Sequence, residues 1–442
     1  METNIDMMGW KEAKLRDLIC DFKRGIAYSS EDISSPNGIP MMNLASIDKT
    51  GYYREGEMKF YSGRYDEADK IYPDEMLIAC TDLTRDAIII GTPIKVPNES
   101  DFFLFTMDLA KLRPNDCIDP DFMYYALKTN TYRKYIKPWA SGTNVLHLNL
   151  NGVYNYTLKY PISKNAQKSI ARILLNIDKK IAINKRINHY LEAMAKQLYD
   201  YWFVQFDFPD ANGNPYKSSG GKMIWNEKLR REIPEGWEDC TLGRYVGRIT
   251  NGLNPRKNFT LGHGNNYYVT IRSLLGTDID WDNCDRCDDE ALTKINSRSQ
   301  LTQGDVIFSA IGTIGRTFYI QDFPSNWNIS ETSFTLRAAE SIPSDLFYCI
   351  LRSAEIQRQA DKNAMGSTLR CLVMDSLLKI PYIWIPENLR VQYAKFVRPI
   401  LKQINELNKN TRQLIMLRNE TMLVLMNGQV SVKQLNNDLS HD

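Results

Sequence analysis

The sequence has no uninterrupted apolar run of the roughly 20 residues that a membrane-spanning helix needs. Its N-terminus, METNIDMMGWKEAK, lacks the basic-then-apolar layout of a secretory signal. The eight cysteines are scattered without the spacing of a disulfide framework, which favours free thiols in a reducing cytoplasm. A net charge of only +2 over 442 residues gives no overall positive potential of the kind that would indicate a nucleic-acid-binding protein. These absences predict a cytoplasmic protein with no membrane association, and they leave the ligand open.

Catalytic and metal-binding patterns are equally scarce. An adenine methyltransferase would need a glycine-rich cofactor loop and an Asn/Asp-Pro-Pro-aromatic turn, but the NPY stretch at 214–216 lacks the second proline. The glycine-rich stretch 312–316 is too short for a dinucleotide fingerprint and is typical of a hairpin turn. Cys284 and Cys287 have zinc-ligand spacing without a second pair nearby, and the four histidines form no triad. The sequence therefore predicts no catalytic residue, no metal site and no cofactor held by this chain.

What the sequence does contain is a long internal repeat. Three landmarks recur 227 residues further on: Gly9-Trp10 as Gly236-Trp237, Leu15 as Leu242, and Gly25 as Gly252. Both halves then follow one order, namely an alternating strand, a short buried strand, a helix with an acidic start, a Gly-Ser/Thr turn and a Pro-ended strand. The aligned segments are 40–47 with 267–274, 75–82 with 305–312, 120–129 with 344–353, 140–148 with 365–373, and LKYP (158–161) with LKIP (378–381). This order predicts a duplicated α/β (α+β) head with a pseudo-twofold relation, and chance similarity of two unrelated domains is the alternative.

Each half ends in a long stretch with helical apolar spacing. In heptads, the first helix places at one seam position Ile170, Ile177, Asn184, Leu191 and Leu198, and at the other Ile173, Lys180, Ile187, Met194 and Tyr201. The second helix places at its two seam positions Val397, Ile404, Thr411, Arg418 and Leu425, and Ile400, Leu407, Leu414 and Thr421. Asn184 and Thr411 are equivalent polar breaks, and a polar seam residue costs stability but fixes register. The two helices are therefore expected to pair as an antiparallel coiled coil, the alternative being that each packs on its own half.

Breaker residues and the repeat together divide the chain. Pro, Asn, Gly and Ser follow in quick succession after the aromatic stretch YWFVQFDFP, which indicates a linker. The expected domains are a first head at 1–163, a spacer helix at 164–204, a linker at 205–235, a second head at 236–386, a second spacer helix at 387–426 and a tail at 427–442.

This layout resembles the specificity subunit of type I restriction-modification systems. The resemblance covers roughly residues 9–426 and is carried by the duplicated head and helix, and by motifs that are weak singly but specific in this order. These motifs are IPEGW at 233–237, YWFVQFDFP after the first helix, Gln167 and Gln392 near the helix starts, and the SGTN and GSTL turns.

The resemblance implies a division of labour among subunits. Each head would be a target recognition domain that reads one half of a split double-stranded DNA sequence, and the paired helices would set the gap and dock two modification (methyltransferase) subunits. Restriction (motor and nuclease) subunits would join them. S-adenosylmethionine would belong to the modification subunit, and ATP and Mg to the restriction subunit, so this chain would hold no cofactor.

Candidate base-reading residues are polar or cationic side chains on loops between strands. In the first head they are Lys23, Arg24, Arg85, Thr143 and Asn144. In the second head they are Arg256, Lys257, Arg272, Arg316, Ser367 and Arg370. An ordinary surface or packing role is the alternative for each of them.

Two other functions stay open at this point. A divergent methyltransferase or nuclease would bind S-adenosylmethionine or cleave DNA by itself. A coiled-coil scaffold with protein-binding heads would show no sequence-dependent DNA binding.

Overall fold

The computed structural model describes residues 9–33, 37–54, 56–367 and 369–428. Most of the tail expected at 427–442, the first residues of the first head, His441 and Thr368 of the GSTL turn lie outside this description. By its internal contacts the chain forms two compact units. The first comprises the chain up to Ile181 and from Leu414 onward, and the second is Ala182–Gln413. The division cuts through both long helices, so each unit contains one head and a part of each helix.

The first head mixes short strands with short helices. Its strands are β1 (Trp10–Lys14), β2 (Ile19–Arg24), β3 (Ile39–Met42), β4 (Lys59–Tyr61), β5 (Met76–Ala79), β6 (Thr81–Asp82), β7 (Pro93–Lys95), β8 (Leu104–Phe105), β9 (Leu109–Pro114), β10 (Ala140–Ser141), β11 (Leu146–Leu148) and β12 (Thr157–Pro161). Its helices are α1 (Pro120–Ala126), α2 (Asn130–Ile136) and α3 (Leu150–Asn155). The sheet orders are β2-β9-β5-β7, β4-β3-β8, β10-β11-β6 and β1-β12.

The first long helix, α4 (Lys164–Tyr199), continues into a π-helical turn at Asp200–Val204. The second head follows it. Its strands are β13 (Met223–Asn226), β14 (Arg231–Pro234), β15 (Glu238–Thr241), β16 (Val246–Asn251), β17 (Asn266–Val269), β18 (Asp285–Cys287), β19 (Val306–Ser309), β20 (Thr317–Tyr319), β21 (Trp327–Ile329), β22 (Ser333–Ala338) and β23 (Pro381–Trp384). Its helices are α5 (Asp289–Ser299), α6 (Ser344–Arg352), α7 (Ala354–Asn363) and α8 (Met374–Leu378), and the second long helix is α9 (Glu387–Met426).

The two heads share one sheet topology. The order β16-β22-β19-β20 in the second head repeats β2-β9-β5-β7, and β18-β17-β21 repeats β4-β3-β8. The strand directions repeat as well, because β3 pairs parallel with β8 just as β17 pairs parallel with β21. A two-stranded ladder closes each head, β1 with β12 and β15 with β23. The predicted duplication of a mixed α and β head is confirmed.

Two segments of the predicted alignment are wrong. The match of 140–148 with 365–373 is off by one residue, because the Leu148 amide binds the Cys80 carbonyl as the Leu372 amide binds the Ala310 carbonyl. The match of LKYP (158–161) with LKIP (378–381) is off by four residues. The amide of Leu15 donates to the Tyr156 carbonyl (2.9 Å), and the amide of Leu242 donates to the Ile380 carbonyl (2.8 Å). Ile380 therefore corresponds to Tyr156, so the LKYP stretch of β12 matches residues 382–385 and not LKIP at 378–381. Leu378 instead ends α8, and the shared Leu-Lys and Pro letters were a coincidence.

Glycine recurs at positions 25 and 252 for the same structural reason. A Cβ at Gly25 would overlap the Phe105 carbonyl, and a Cβ at Gly252 would overlap the Ile329 carbonyl. In each head the chain leaving the first long strand thus passes directly against the strand that ends the smaller sheet. Any larger residue would push these two backbones apart, which is why glycine recurs at this point of the repeat.

The long helices pair antiparallel inside each unit, as the sequence predicts. In the second unit, Asn184 Nδ2 donates to Asn410 Oδ1 (2.8 Å), and Asn188 Nδ2 donates to Asn408 Oδ1 (2.6 Å), so numbers rise on α4 as they fall on α9. In the first unit, Asp178 of α4 forms an ion pair with Arg418 of α9. Of the seam residues expected on α9, Val397, Ile404, Thr411, Arg418, Leu425, Ile400 and Thr421 are buried, while Leu407 and Leu414 are half-buried.

On α4 only one of the two predicted seam positions faces the partner helix. Ile170 and Asn184 are buried, and Ile177, Leu191 and Leu198 are half-buried. The second predicted position is wrong for most of its length, because Lys180, Ile187, Met194 and Tyr201 are exposed and Ile173 is half-buried. The buried positions lie one residue later, at Leu174, Ile181, Asn188, Ala195 and Trp202. Steps of three and four residues both join neighbours on a helix face, and the apolar letters of α4 allow either.

The segment expected as a linker, 205–235, is largely packed structure. Phe208 stacks on Tyr216 and on Trp237, with ring centroids 4.8 and 5.2 Å apart. The carboxylate of Asp207 accepts hydrogen bonds from the Ser218 amide (2.7 Å) and hydroxyl (2.6 Å). The breaker residues therefore form tight turns that are held by an aromatic stack.

Candidate nucleic-acid interface

In the first head, several predicted residues converge at one end of the four-stranded sheet. Strand β2 ends at Arg24, and β5 leads through Cys80 into β6. The Cys80 carbonyl accepts the Leu148 amide (2.9 Å), which attaches the β10–β11 hairpin to the same end. The strand pair Leu146–Asp82 then places the tip of that hairpin beside the loop after β6.

The loop after β6 is shaped by one buried carboxylate. Asp82 is fully buried, and it accepts hydrogen bonds from the Thr84 amide (2.7 Å) and the Ile89 amide (2.6 Å). These bonds hold a tight turn that leaves Arg85 exposed and the Leu83 side chain 68% exposed. Because the buried Asp82 carboxylate binds backbone amides of the loop, the loop backbone has little conformational freedom. A loop with a fixed backbone is suited to a recognition surface.

The β10–β11 hairpin presents Thr143 and Asn144. Both are exposed, and the turn depends on Gly142, whose φ of 136° is a conformation that side-chain-bearing residues avoid. Hydroxyl and carboxamide groups offer the donors and acceptors that match base edges. Thr143, Asn144 and Arg85 thus form a single exposed cluster, which we call the first tip.

Lys23 and Arg24 are the last two residues of β2, at this same end of the sheet. The Lys23 ammonium is 2.7 Å from Asp69 in an ion pair, so its charge is already partnered. Arg24 is half-buried, and its Nε has no hydrogen-bond partner among the described residues. It lies near Cys80, and burial raises the pKa of that thiol to about 11. A role of Lys23 and Arg24 in direct base contact stays a prediction.

The second head builds a corresponding tip from the equivalent loops. The Gly312 amide donates to the Arg370 carbonyl (2.8 Å), and Ile311 bridges to Cys371 on the hairpin that turns at Gly366. Ser367 is exposed at this hairpin, and Gly366 has a φ of 100°. The described hairpin residues 365–367 and 369–371 and the turn at 312–315 therefore form what we call the second tip.

Arg256 and Lys257 lie on a neighbouring loop that is anchored beneath. Asn254 Nδ2 donates to Glu331 Oε1 (2.7 Å), and the Tyr268 hydroxyl donates to Glu331 Oε2 (3.0 Å). The next carbonyl after Glu331, that of Thr332, accepts the Ala310 amide just before the second tip. The two exposed cations are thus held on a fixed loop beside this tip, where phosphate contacts are expected.

The other three candidate arginines of the second head are Arg272, Arg316 and Arg370, and two of them have partners within the head. Arg316 Nη1 donates to the Ile271 carbonyl (3.1 Å), so its guanidinium braces the turn that carries the exposed Arg272. Arg370 forms an ion pair with Asp361. Arg316 and Arg370 therefore have structural partners in the described part of the chain, whereas Arg256, Lys257 and Arg272 project to the surface.

In the first unit, a polar cluster joins the head to both long helices. Asp178 of α4 accepts a hydrogen bond from the Tyr125 hydroxyl (2.7 Å) and binds Arg418 of α9. The Arg418 guanidinium lies 4.7 Å from the centroid of the Tyr52 ring, and the Lys128 ammonium lies on the same ring at 3.2 Å. The second unit has its own contact of this kind, since Glu192 of α4 binds Arg352 (3.0 Å) and Thr277 (3.0 Å) of the second head. Each head is thereby oriented on its helix pair by charged or polar groups.

Gln167 and Gln392 differ in role. Gln167 is buried, accepts the Asp119 amide (2.6 Å) and donates to the Pro161 carbonyl (2.8 Å), so it joins the start of α1 to α4. Gln392 is exposed within α9 and does not share this role. Arg390 takes the equivalent place, because it is buried and donates to the Ser341 carbonyl (3.2 Å) just before α6.

Neither a metal site nor a membrane helix is found in the described chain. No group of three or more His, Cys, Asp or Glu side chains there could hold a metal ion. Cys284 and Cys287 pack into two different apolar clusters, and burial raises the pKa of both thiols. Over the same described residues, no helix combines the length and apolar character needed to cross a bilayer.

Sequence reasoning missed the apolar residues of the tips and the charged cluster at the helices. Leu83, Met365 and Leu369 are each more than 60% exposed, whereas the candidate residues predicted from the sequence are all polar or cationic. The apolar residues on both sides of the Gly-Ser-Thr turn in MGSTLRCLV could have indicated the second set. Nothing in the local sequence pairs Asp178 with Arg418, which lie 240 residues apart.

Comparison with known proteins agrees with the resemblance drawn from the residues. Residues 7–193 match the family model described as Type I restriction modification DNA specificity domain. The Type I restriction enzyme MjaIX specificity subunit of Methanocaldococcus jannaschii is 24% identical over 325 residues, 73% of this chain and 72% of that protein. The HindI specificity subunit of Haemophilus influenzae is 31% identical over 121 residues, 26% of each chain. The crystal structure of an S subunit from M. genitalium shares the fold, with a TM-score of 0.58, 18% identity, and coverage of 96% of this chain and 98% of that one.

Proposed function

The chain carries a type I restriction-modification DNA specificity domain and resembles specificity subunits along most of its length; from this premise we propose that it gives a type I complex its DNA sequence specificity by reading one half of a split target with each head. The observation that carries this proposal is the pair of tips. Both heads present equivalent loops at the same end of the same sheet, while the side chains on those loops differ. Two unlike readers on one framework are what a two-part, asymmetric DNA target requires.

The proposal assigns direct readout and positioning to different residues. Thr143, Asn144 and Ser367 are exposed hydrogen-bonding groups on glycine turns, and they suit base edges. Arg256 and Lys257 are exposed cations on an anchored loop, and they suit phosphates, which position a protein on the duplex without specifying sequence. Arg85 is the exposed cation of the first tip.

Catalysis and cofactors belong to partners in this proposal. The chain would hold neither S-adenosylmethionine nor ATP and Mg, and two modification subunits and the restriction subunits would supply them in the cytoplasm. The paired helices would act as spacer and as docking surface for the modification subunits. Support comes from the similarity to proteins named as specificity subunits and from the antiparallel helix pairing within each unit.

The test is methylation by the assembled complex. The chain is coexpressed with its modification subunits, and methylated sites in the host DNA are mapped by sequencing. A split motif that disappears when this chain is omitted supports the proposal. An Asn144→Ala substitution should relax one half of the motif only, whereas methylation that persists unchanged without the chain would refute the proposal. Methyl transfer by the isolated chain would instead establish an enzyme.

A further inference from the structure

The hairpin of the second tip has one exposed apolar face. Met365 and Cys371 exchange two backbone hydrogen bonds, of 2.9 and 2.8 Å, so their side chains lie on the same side of the hairpin. Leu369 and Val373 lie two residues to either side of Cys371 in sequence, and both are exposed next to the Met365–Cys371 bridge. Met365 is 62%, Leu369 64% and Val373 43% exposed, whereas Leu372, between them in sequence, is buried.

Two of the three corresponding positions in the first head are polar. The Leu148 amide binds the Cys80 carbonyl (2.9 Å) just as the Leu372 amide binds the Ala310 carbonyl (2.8 Å), which sets the correspondence between the hairpins. Met365, Leu369 and Val373 therefore correspond to Ser141, Val145 and Asn149. Ser141 and Asn149 are exposed, and Val145 is only half-buried. The repeat thus keeps the backbone of the tip, replaces Ser141 and Asn149 by Met365 and Val373, and replaces the half-buried Val145 by the larger and more exposed Leu369.

This replacement is not accounted for by packing within the head. Met365, Leu369 and Val373 are all exposed, and Leu369 Cδ1 lies next to the turn at Gly312, where an added Cβ would be 3.9 Å away. Arg256 and Lys257 lie on the neighbouring loop. An apolar face beside fixed cations can meet a duplex with its hydrocarbon on the bases and its charges on the phosphates.

Resting on the proposed function, we propose that Met365, Leu369 and Val373 form an apolar reader in the second head that recognises thymine methyl groups in the major groove. The C5-methyl of thymine is the apolar feature that base pairs present in that groove. Leu369 stands at the tip and takes the central contact, and Met365 and Val373 flank it. The half-target of the second head then contains at least one thymine whose methyl group is buried on binding.

The experiment uses the full chain with its modification subunits and the target mapped by methylation. Duplexes carry deoxyuridine in place of one thymine at a time, which removes only the methyl group. A buried methyl is worth about 0.8 kcal/mol, so about a fourfold loss of affinity is expected at one or more thymines of a single half-target. In Leu369→Asn the same uracil duplexes should bind no worse than the thymine duplex, and Leu369→Met should keep the sensitivity. Phe323→Ser, which removes another exposed apolar side chain (76%) of the same unit, is the control and should also keep it.

The outcomes separate this inference from the proposed function. A wild-type complex that selects a sequence but is insensitive to every uracil, or whose target lacks thymine in both halves, overturns the apolar reader and leaves the proposed function standing. A complex with no sequence preference overturns both. If Leu369→Asn weakens binding of the modification subunits without DNA, the face is a protein contact and the inference is wrong. Thermal unfolding of Leu369→Asn should match that of the wild type, because the side chain is exposed.

Discussion

Asp178 of the first long helix forms an ion pair with Arg418 of the second, with Oδ1 and Nη1 3.0 Å apart and side chains only 16% and 10% exposed. The Tyr125 hydroxyl donates to the same carboxylate (2.7 Å), so one buried anion joins the first head to both helices. Removing one partner of a buried pair leaves the other charge uncompensated. Such losses cost about 3 kcal/mol or more.

We therefore expect Asp178→Asn to lower the free energy of unfolding by about 3 kcal/mol. The measurement is urea denaturation followed by tryptophan fluorescence. The matched control is Asp375→Asn, which breaks the pair with Lys379, where both side chains are about 70% exposed, and should change stability little. Equal effects of the two substitutions would show that the Asp178 cluster is not a buried link.

Lys128 should make stability depend on pH. Its ammonium is enclosed against the Tyr52 ring and donates to the Gly51 carbonyl (2.8 Å), and burial lowers its pKa from 10.5 to about 7, although the Asp178 charge opposes this shift. Between those two pH values the unfolded chain binds more protons than the folded one. The free energy of unfolding should therefore rise with pH from about 7 upward, by at most about 1.4 kcal/mol per pH unit.

Lys128→Met should flatten this rise, since the methionine does not titrate. Urea titrations at pH 7, 8 and 9 compare the slopes, and Lys134→Met on the exposed side of α2 is the control. If the Lys128→Met and wild-type slopes coincide, Lys128 stays charged in the folded protein.

Asn184 should cost stability in the helix seam. It is almost fully buried, and although its Nδ2 donates to Asn410, its Oδ1 has no partner among the described residues. Asn184→Leu removes the unsatisfied acceptor and adds apolar burial, so we expect the free energy of unfolding to rise by about 1–2 kcal/mol. Asn176→Leu, at an exposed position of the same helix, should change it by less than about 0.5 kcal/mol. A loss of stability in Asn184→Leu would mean that the asparagine bond outweighs burial.

Arg256 and Lys257 should contribute charge and not sequence preference. In the assembled complex, Arg256→Ala with Lys257→Ala should weaken binding to specific and nonspecific duplexes alike. It should also reduce the slope of log affinity against log salt by about 2, since each phosphate contact contributes about 0.9. Fluorescence anisotropy at four salt concentrations measures the slope, with Lys379→Ala as the control. A changed target motif with an unchanged slope would place these residues among the base readers.

Much of the architecture could be predicted because the same pattern of residues occurs in both halves of the sequence. Gly25 and Gly252 recur because each head forces the same two backbones together, and that requirement survives low identity between the halves. The long helices carry their apolar period in the chain itself, so both were predicted.

Other features depended on contacts that the local sequence does not encode. The seam of α4 required a choice between Ile173 and Leu174, both apolar, and only the facing helix decides it. Which of Gln392 and Arg390 would take the role of Gln167 was likewise decided by what packs before α6. Among the candidate base-reading residues, nothing in the sequence distinguishes Arg316 and Arg370 from Arg256. In the folded head, however, the side chains of Arg316 and Arg370 have hydrogen-bond or ion-pair partners.

Periodicity, breaker residues and duplication are properties of the chain order, and they were enough to predict two heads of one kind and two long helices. Which helix faces meet, which cations remain exposed and which loops form a tip could be seen only in the folded protein, since these features depend on side chains far apart in sequence. Burial and pairing are properties of neighbours in space, and for Asp178 and Arg418 those neighbours come from opposite halves of the chain.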